Sequence, residues 1–180
     1  MWTANLRDGQ KEERAMKSGK KWDELKKLIE GAEHPREYVV DAMFALQDRY
    51  GYLTDEAVEE VASLVGMSPL EVEELASFYD FIYRRPIGKF VIRVCDGIVC
   101  STEGGEDLLA QLENLLGIKV GETTQDGLFS LLPVCCIGFC DMAPAMVVNG
   151  EVYGRLNREK VRGIIDKILF QGKPPKLSDW

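Results

Sequence analysis

All five cysteines of this 180-residue chain lie between Cys95 and Cys140. They form two tight groups, Cys95-Asp-Gly-Ile-Val-Cys100 and Cys135-Cys136-Ile-Gly-Phe-Cys140. Cysteines that serve only as small hydrophobes scatter through a core. Short spacings repeated far apart in sequence point instead to a metal site or a disulfide framework, and any fold of this chain has to bring the two groups together. No run of 18 apolar residues is present, so no membrane-spanning helix is expected. No apolar stretch follows Met1, so a secretory leader is not expected and the chain reads as cytoplasmic, where lasting disulfides are uncommon. The odd cysteine count also argues against a purely disulfide framework. A four-thiolate redox site is the reading that remains in front.

Ligand type and spacing bear on which centre it is. The one histidine, His34, is remote from the cysteines, which excludes mixed His/Cys zinc fingers and Rieske centres as written. Its place just before Pro35 suits a cap or a surface residue. Zinc sites commonly use cysteine pairs two to four residues apart. Here one pair is C-x4-C and the other C-x3-C, so one spacing fits zinc poorly. A two-iron, two-sulfide cluster is wider than a single ion, and such loops, with Gly97 and Gly138 inside them, suit wrapping it. Glycine also lets backbone N–H groups approach the sulfurs. Spacing therefore ranks a [2Fe-2S] centre over zinc, and zinc over a thiol–disulfide site, which would use C-x-x-C. Spacing alone leaves Cys135 or Cys136 as partner of Cys140.

Charge narrows the partners. From Cys95 to Ala145 eight acids stand against one base, Lys119, for a local charge of −7 out of −8 overall. Such a field repels phosphate backbones and anionic lipid. No G-x-G-x-x-G or P-loop is present, and no Ser/His/Asp or Cys/His catalytic group is evident, so the chain shows no dinucleotide site or catalytic residue of its own.

Hydrophobic periodicity organises the rest. Residues 1–33 read as an N-terminal arm, either ordering only against a partner or carrying a short amphipathic helix with Trp22, Leu25, Leu28 and Ile29 at helical spacing. Residues 34–87 read as a small helical bundle. Pro35 suits a first helical turn, Val39, Met43, Leu46 and Tyr50 recur at helical intervals, and Gly51 is a stop. Thr54 caps a second helix with Val58, Val61, Ala62 and Val65 inward, and Ser68-Pro69-Leu70-Glu71 is a capping box. The helix it starts carries Val72, Leu75, Tyr79 and Ile82 on one face. Residues 88–172 change period and read as an α/β domain: a buried strand from Phe90 ending on Cys95, a helix from Glu106 to Leu116, a strand from Leu128 to Val134, a hairpin turning at Asn149-Gly150, and a helix from Asn157 to Phe170. Residues 173–180 are an extended tail. Both cysteine groups fall on loops following strands.

Cys95-x4-Cys100, a 35-residue gap, Cys136-x3-Cys140 and then Asp141-Met-Ala-Pro144 closely resemble the thioredoxin-like [2Fe-2S] ferredoxin family. More narrowly, the pattern resembles the small iron–sulfur (NuoE-type) subunit of bacterial NADH:quinone oxidoreductase, complex I. The likeness extends through Gln47-Asp-Arg-Tyr-Gly51-Tyr-Leu53, Ser77-Phe78-Tyr79 and Arg85-Pro86-Ile-Gly88 and covers roughly residues 35–170. It implies an N-terminal helical bundle followed by a thioredoxin-like domain. It implies a [2Fe-2S] cluster held by Cys95, Cys100, Cys136 and Cys140, one pair to each iron, and so selects Cys136 over Cys135, which is then expected to be a packed, inert thiol. It further implies an electron-transfer role beside a partner flavoprotein (NuoF-type) that binds FMN and NADH, within the peripheral arm of a membrane-associated complex. The helical bundle and arm are the expected docking surfaces. Similar subunits serve NAD-linked hydrogenases and formate dehydrogenases. A zinc-stabilised interaction module is the reading from a different class.

Overall fold

The computed structural model of this protein describes residues 19–176, which divide into two units meeting in sequence between Pro86 and Ile87.

In the first unit a helix covers residues 19–30 (α1). A tight turn, Pro35–Tyr38, leads into α2 (Val39–Tyr50), followed by α3 (Asp55–Val65) and α4 (Pro69–Phe78). The starts are set by side chains that take up otherwise orphaned backbone N–H groups. The Thr54 hydroxyl accepts from the Ala57 N–H at 3.2 Å. Ser68 and Glu71 close a reciprocal capping box, with Ser68 Oγ accepting from the Glu71 N–H at 3.3 Å and Glu71 Oε2 from the Ser68 N–H at 2.7 Å. Trp22 and Ile29 of α1 share one core with Met43, Leu46, Val58, Val61 and Val72. The helix anticipated at Trp22–Ile29 is therefore present, but Leu28 points outward, 52% exposed, because the inward stripe runs through Trp22, Leu25 and Ile29. Two other expected inward residues also differ. Tyr50 is exposed at the end of α2, and Tyr79 lies past the end of α4 in extended backbone. Ile82 is buried, but from the irregular segment that follows.

That segment is held by two polar side chains. The buried Gln47 amide donates to the Phe81 carbonyl at 2.8 Å and accepts from the Tyr83 N–H at 2.6 Å. Arg84 donates to Glu73 at 2.8 Å, to Asp55 at 2.6 Å and to the Leu53 carbonyl. Its planar fork joins α3, α4 and the loop between α2 and α3.

The second unit is a four-stranded sheet with helices. Its elements are β1 (Phe90–Cys95), a one-turn α5 (Ile98–Cys100), α6 (Glu106–Leu116), β2 (Phe129–Val134), β3 (Met146–Val148), β4 (Glu151–Tyr153) and α7 (Arg158–Gln171). The order across the sheet is β2-β1-β3-β4. β1 and β2 are parallel, and the other pairs are antiparallel. Phe90, Ile92 and Val94 alternate along β1 and join Phe129 and Leu131 of β2. The same core takes Leu108 and Leu112 from α6 and Val161, Ile164, Ile165 and Ile168 from α7. The β3–β4 hairpin turns where expected: Asn149 has φ 48° and Gly150 φ 93°, as a type I′ turn demands.

Among the described residues no helix is long and apolar enough to cross a membrane.

Candidate metal centre

A parallel pair of strands delivers both cysteine groups to one edge of the sheet. Cys95, the last residue of β1, stands in register with Val134, the last of β2. What leaves β1 and what leaves β2 therefore emerge side by side, and Cys135 and Cys136 follow directly on Val134. The Asp96 N–H donates to the Val134 carbonyl at 3.0 Å, and the Cys95 N–H to the Ala145 carbonyl at 3.1 Å. The first bond ties the two exits to each other, and the second ties the end of β1 to the residue that precedes β3.

Each group is shaped locally. After Gly97 the chain makes the α5 turn, in which the Ser101 N–H reaches the Gly97 carbonyl at 3.0 Å and the Thr102 hydroxyl the Ile98 carbonyl at 2.8 Å. This turn carries Cys100 inward, 2% exposed, beside Cys95 at 3%. The first pair is expected on a loop; it spans the end of a strand and a helical turn instead. The second pair sits in an irregular bend, where Gly138 adopts φ +76° and places its backbone N–H on the Cys136 sulfur. A Cβ on Gly97 would lie 3.1 Å from the Cys136 Cβ and 3.5 Å from its Sγ. The backbone of the first loop thus approaches the second thiol closely.

The sulfurs interact as one group. Cys136 Sγ and Cys140 Sγ are 3.6 Å apart, and Cys95 is near enough to influence the protonation of both Cys100 and Cys136. Burial, followed by the neighbouring Cys95, pushes the Cys100 thiol up to about 11, against a smaller opposing effect of the Ala145 N–H directed at its sulfur. The Gly138 N–H, then Cys140 and Cys95, draw Cys136 below the ordinary thiol value. Cys140 is raised, chiefly by Cys136. Ala145, Ile137, Phe139 and Ala143 form an apolar wall around Cys95 and Cys100.

Cys135 differs from expectation in one respect. It is exposed rather than packed, at the bend where the chain leaves β2 after Val134. His34 is an exposed surface residue of the first unit and makes no side-chain cap.

The family model described as "Thioredoxin-like [2Fe-2S] ferredoxin" matches residues 25–169. The chain belongs to that family. Among thioredoxin-like [2Fe-2S] ferredoxin relatives, the NADH-quinone oxidoreductase E subunit of Pseudomonas aeruginosa is 37% identical over 134 residues, 74% of this chain and 81% of the relative. Its counterpart of the same name in Escherichia coli is 38% identical over 135 residues, 75% of this chain and 81% of the relative. Among solved structures, a chain of an NAD+-reducing [NiFe]-hydrogenase is 27% identical with a TM-score of 0.65. That match covers 74% of this chain but 23% of the hydrogenase chain, so the present chain corresponds to about a quarter of that larger one.

The donor set fits the family's cluster. A tetrahedral metal with metal–sulfur bonds of about 2.3 Å holds two thiolates about 3.8 Å apart, close to the Cys136–Cys140 separation of 3.6 Å. Cys136 and Cys140 form one close sulfur pair, and Cys95 and Cys100 are buried in one apolar cluster.

Proposed function

We propose that this chain is the [2Fe-2S] electron-transfer subunit of an NADH:quinone oxidoreductase, with Cys95 and Cys100 on one iron and Cys136 and Cys140 on the other. The observation that carries the reading is the register of Cys95 with Val134, which sets the second cysteine group against the first. The names of the relatives at 37–38% identity support the choice of complex. When bound, a [2Fe-2S] cluster takes up and releases single electrons.

The residues of this chain hold and tune. Cys95 and Cys100 are buried among apolar side chains, which excludes water from that side. The Gly138 and Ala145 N–H groups donate to the sulfurs of Cys136 and Cys100, withdrawing negative charge from them and favouring an added electron. The surrounding acids act in the opposite sense. Because the Cys100 thiol is held up near 11, ligation at neutral pH has to displace its proton.

FMN and NADH belong, in this reading, to a partner flavoprotein, and the chain itself performs no chemistry at the nicotinamide. A cavity of about 490 Å3 lined by Leu115, Leu116, Ile165 and Leu169 contains no cysteine. The assembly is the peripheral arm of a membrane-associated complex. A second reading, the corresponding subunit of an NAD-linked hydrogenase, draws on the structural likeness to such an enzyme, but at lower identity than the quinone-oxidoreductase relatives. The purified chain alone is expected to oxidise no NADH. Mixed with the FMN-carrying subunit, its visible absorption is expected to bleach when NADH is added. Full NADH dehydrogenase activity from the chain alone would contradict this division of labour.

A further inference from the structure

The turn that carries Cys140 is too short to hold its own shape. It runs over Cys140–Met142, with the Met142 N–H on the Phe139 carbonyl at 3.1 Å and the Ala143 N–H on the Cys140 carbonyl at 3.3 Å. Cys140 is exposed, so burial of its own side chain does little to fix it. What stands behind the turn is the link from β4 to α7, residues 154–156. Gly154 is buried there, and a Cβ on it would lie 2.5 Å from the Met142 Cβ and 2.6 Å from the Met142 carbonyl oxygen. The same Cβ would lie 2.8 Å from the Phe139 ring. A close-packed interior does not admit an atom at such distances. Neither the Met142 Cβ nor its carbonyl is the free end of a flexible side chain, so the turn itself would have to move.

The next two residues grip the same turn through their backbone. The Arg155 N–H donates to the Met142 carbonyl, and the Leu156 N–H to the Pro144 carbonyl at 3.1 Å. Arg155 takes φ +49° to do so, a conformation that L side chains enter at a cost and keep only where the surroundings over-determine it. The link is fixed at both ends. Tyr153 closes β4 within the sheet core, and Leu156 enters that core. Asn157 then caps α7 by accepting from the Lys160 N–H at 2.9 Å. The Lys160 ammonium turns back and donates to the Gly154 carbonyl at 3.2 Å.

We propose that Gly154 is a positioning residue for the cysteine site: the 154–156 link, keyed by Lys160, braces the Cys140 turn and sets where the Cys140 sulfur stands. The proposal rests on the electron-transfer reading above, and it extends the site beyond its ligands, since groups behind a ligand orient it. Nothing in the cysteine spacings points to residues 154–156.

The test uses the full chain purified without oxygen, as the natural sequence and as Gly154→Ala, Gly88→Ala and Lys160→Met. Gly88→Ala is the control: a Cβ there would lie 2.6 Å from the Phe129 backbone. That is a comparable clash in the same unit, but before the start of β1, at the end away from Cys95. Melting temperature, the visible circular dichroism, the paramagnetic resonance spectrum of the reduced chain and the rate of iron release to a chelator are recorded for each. Gly154→Ala is expected to shift both spectra and to release iron at least about tenfold faster. Gly88→Ala is expected to melt lower, keep the natural spectra and release iron within about twofold of the natural rate. Unchanged spectra or a smaller acceleration in Gly154→Ala would overturn the proposal. So would a Gly88→Ala chain that matches Gly154→Ala, because any clash would then suffice. Should either glycine variant fail to give folded, iron-bearing protein, Lys160→Met decides. It keeps the aliphatic stem, loses the bond to the Gly154 carbonyl and is expected to release iron at least about threefold faster; a smaller effect would overturn the proposal. A natural chain that holds no iron or sulfide would overturn both the proposal and the reading beneath it, whereas a failure at Gly154 alone leaves that reading standing.

Discussion

At the scale of single residues, two adjacent cysteines carry different assignments. Cys136 lies 3.6 Å from the Cys140 sulfur, and Gly138 and Cys140 draw its thiol below the ordinary value. Both Cys135 and Cys136 are exposed, so exposure does not separate them; the contacts of Cys136 do. Cys136→Ser is expected to abolish the visible spectrum of the purified chain, and Cys135→Ser to preserve it. The reverse pattern would move the ligand by one residue. The spacing alone could not separate the two, because Cys135-x4-Cys140 repeats the spacing of the first pair. Nor could it foresee that Cys135 would be exposed, since that depends on the strand ending at Val134 and on the bend that follows. Gln47 is a second case. In sequence it is a polar residue within an amphipathic helix; in the fold its amide bridges Phe81 and Tyr83, more than thirty residues away. Gln47→Ala removes both of these part-buried hydrogen bonds and is expected to lower stability by about 2 kcal/mol. Chemical denaturation measures this, and a change below about 0.5 kcal/mol would show that water replaces the amide.

At the scale of elements, local chemistry was the most readable part of the sequence. The Thr54 cap, the Ser68–Glu71 box, the β1 strand ending on Cys95, the helix Glu106–Leu116 and the Asn149-Gly150 turn all stand where their residue types require. Each rests on contacts within a few residues. The elements that differed depend on distant partners. α1 was readable as a helix or an unsupported arm, and its place is decided by Trp22 and Ile29 entering a core built from α2, α3 and α4. The α5 turn has no periodicity to announce it, being three residues held by Thr102, Ser101 and the close approach of Gly105.

The capping box supplies a pH signature. The Ser68 backbone N–H, and then its hydroxyl, hold the Glu71 carboxyl below its ordinary value of 4.5. A lowered folded-state value means that the stabilisation is complete above about pH 5 and is lost as pH falls through the folded value. Glu71→Gln keeps a capping side chain but removes the charge. The melting temperatures of the natural and variant chains are therefore expected to differ near neutrality and converge in acid. A difference unchanged down to about pH 3 would show that the carboxylate charge is not what stabilises the α4 start.

At the scale of the whole molecule, the two units have different work. The family model spans residues 25–169 and so includes most of both, yet every cysteine lies in the second. The first unit is a helical core tied by caps, Gln47 and the Arg84 fork. The second is a sheet whose parallel central pair ends where the cysteines begin. The pairing of two cysteine groups far apart in sequence was legible as a need, because paired spacings require convergence. The means of convergence, the Cys95–Val134 register, was not, because register is a tertiary property that spacing does not encode.

The central claim is that these four sulfurs hold a two-iron, two-sulfide centre rather than a single ion. The most direct test is the iron and acid-labile sulfide content of the chain purified without oxygen. Two irons and two sulfides per chain are expected, the stoichiometry of the family's cluster. A chain carrying zinc and no sulfide would contradict it.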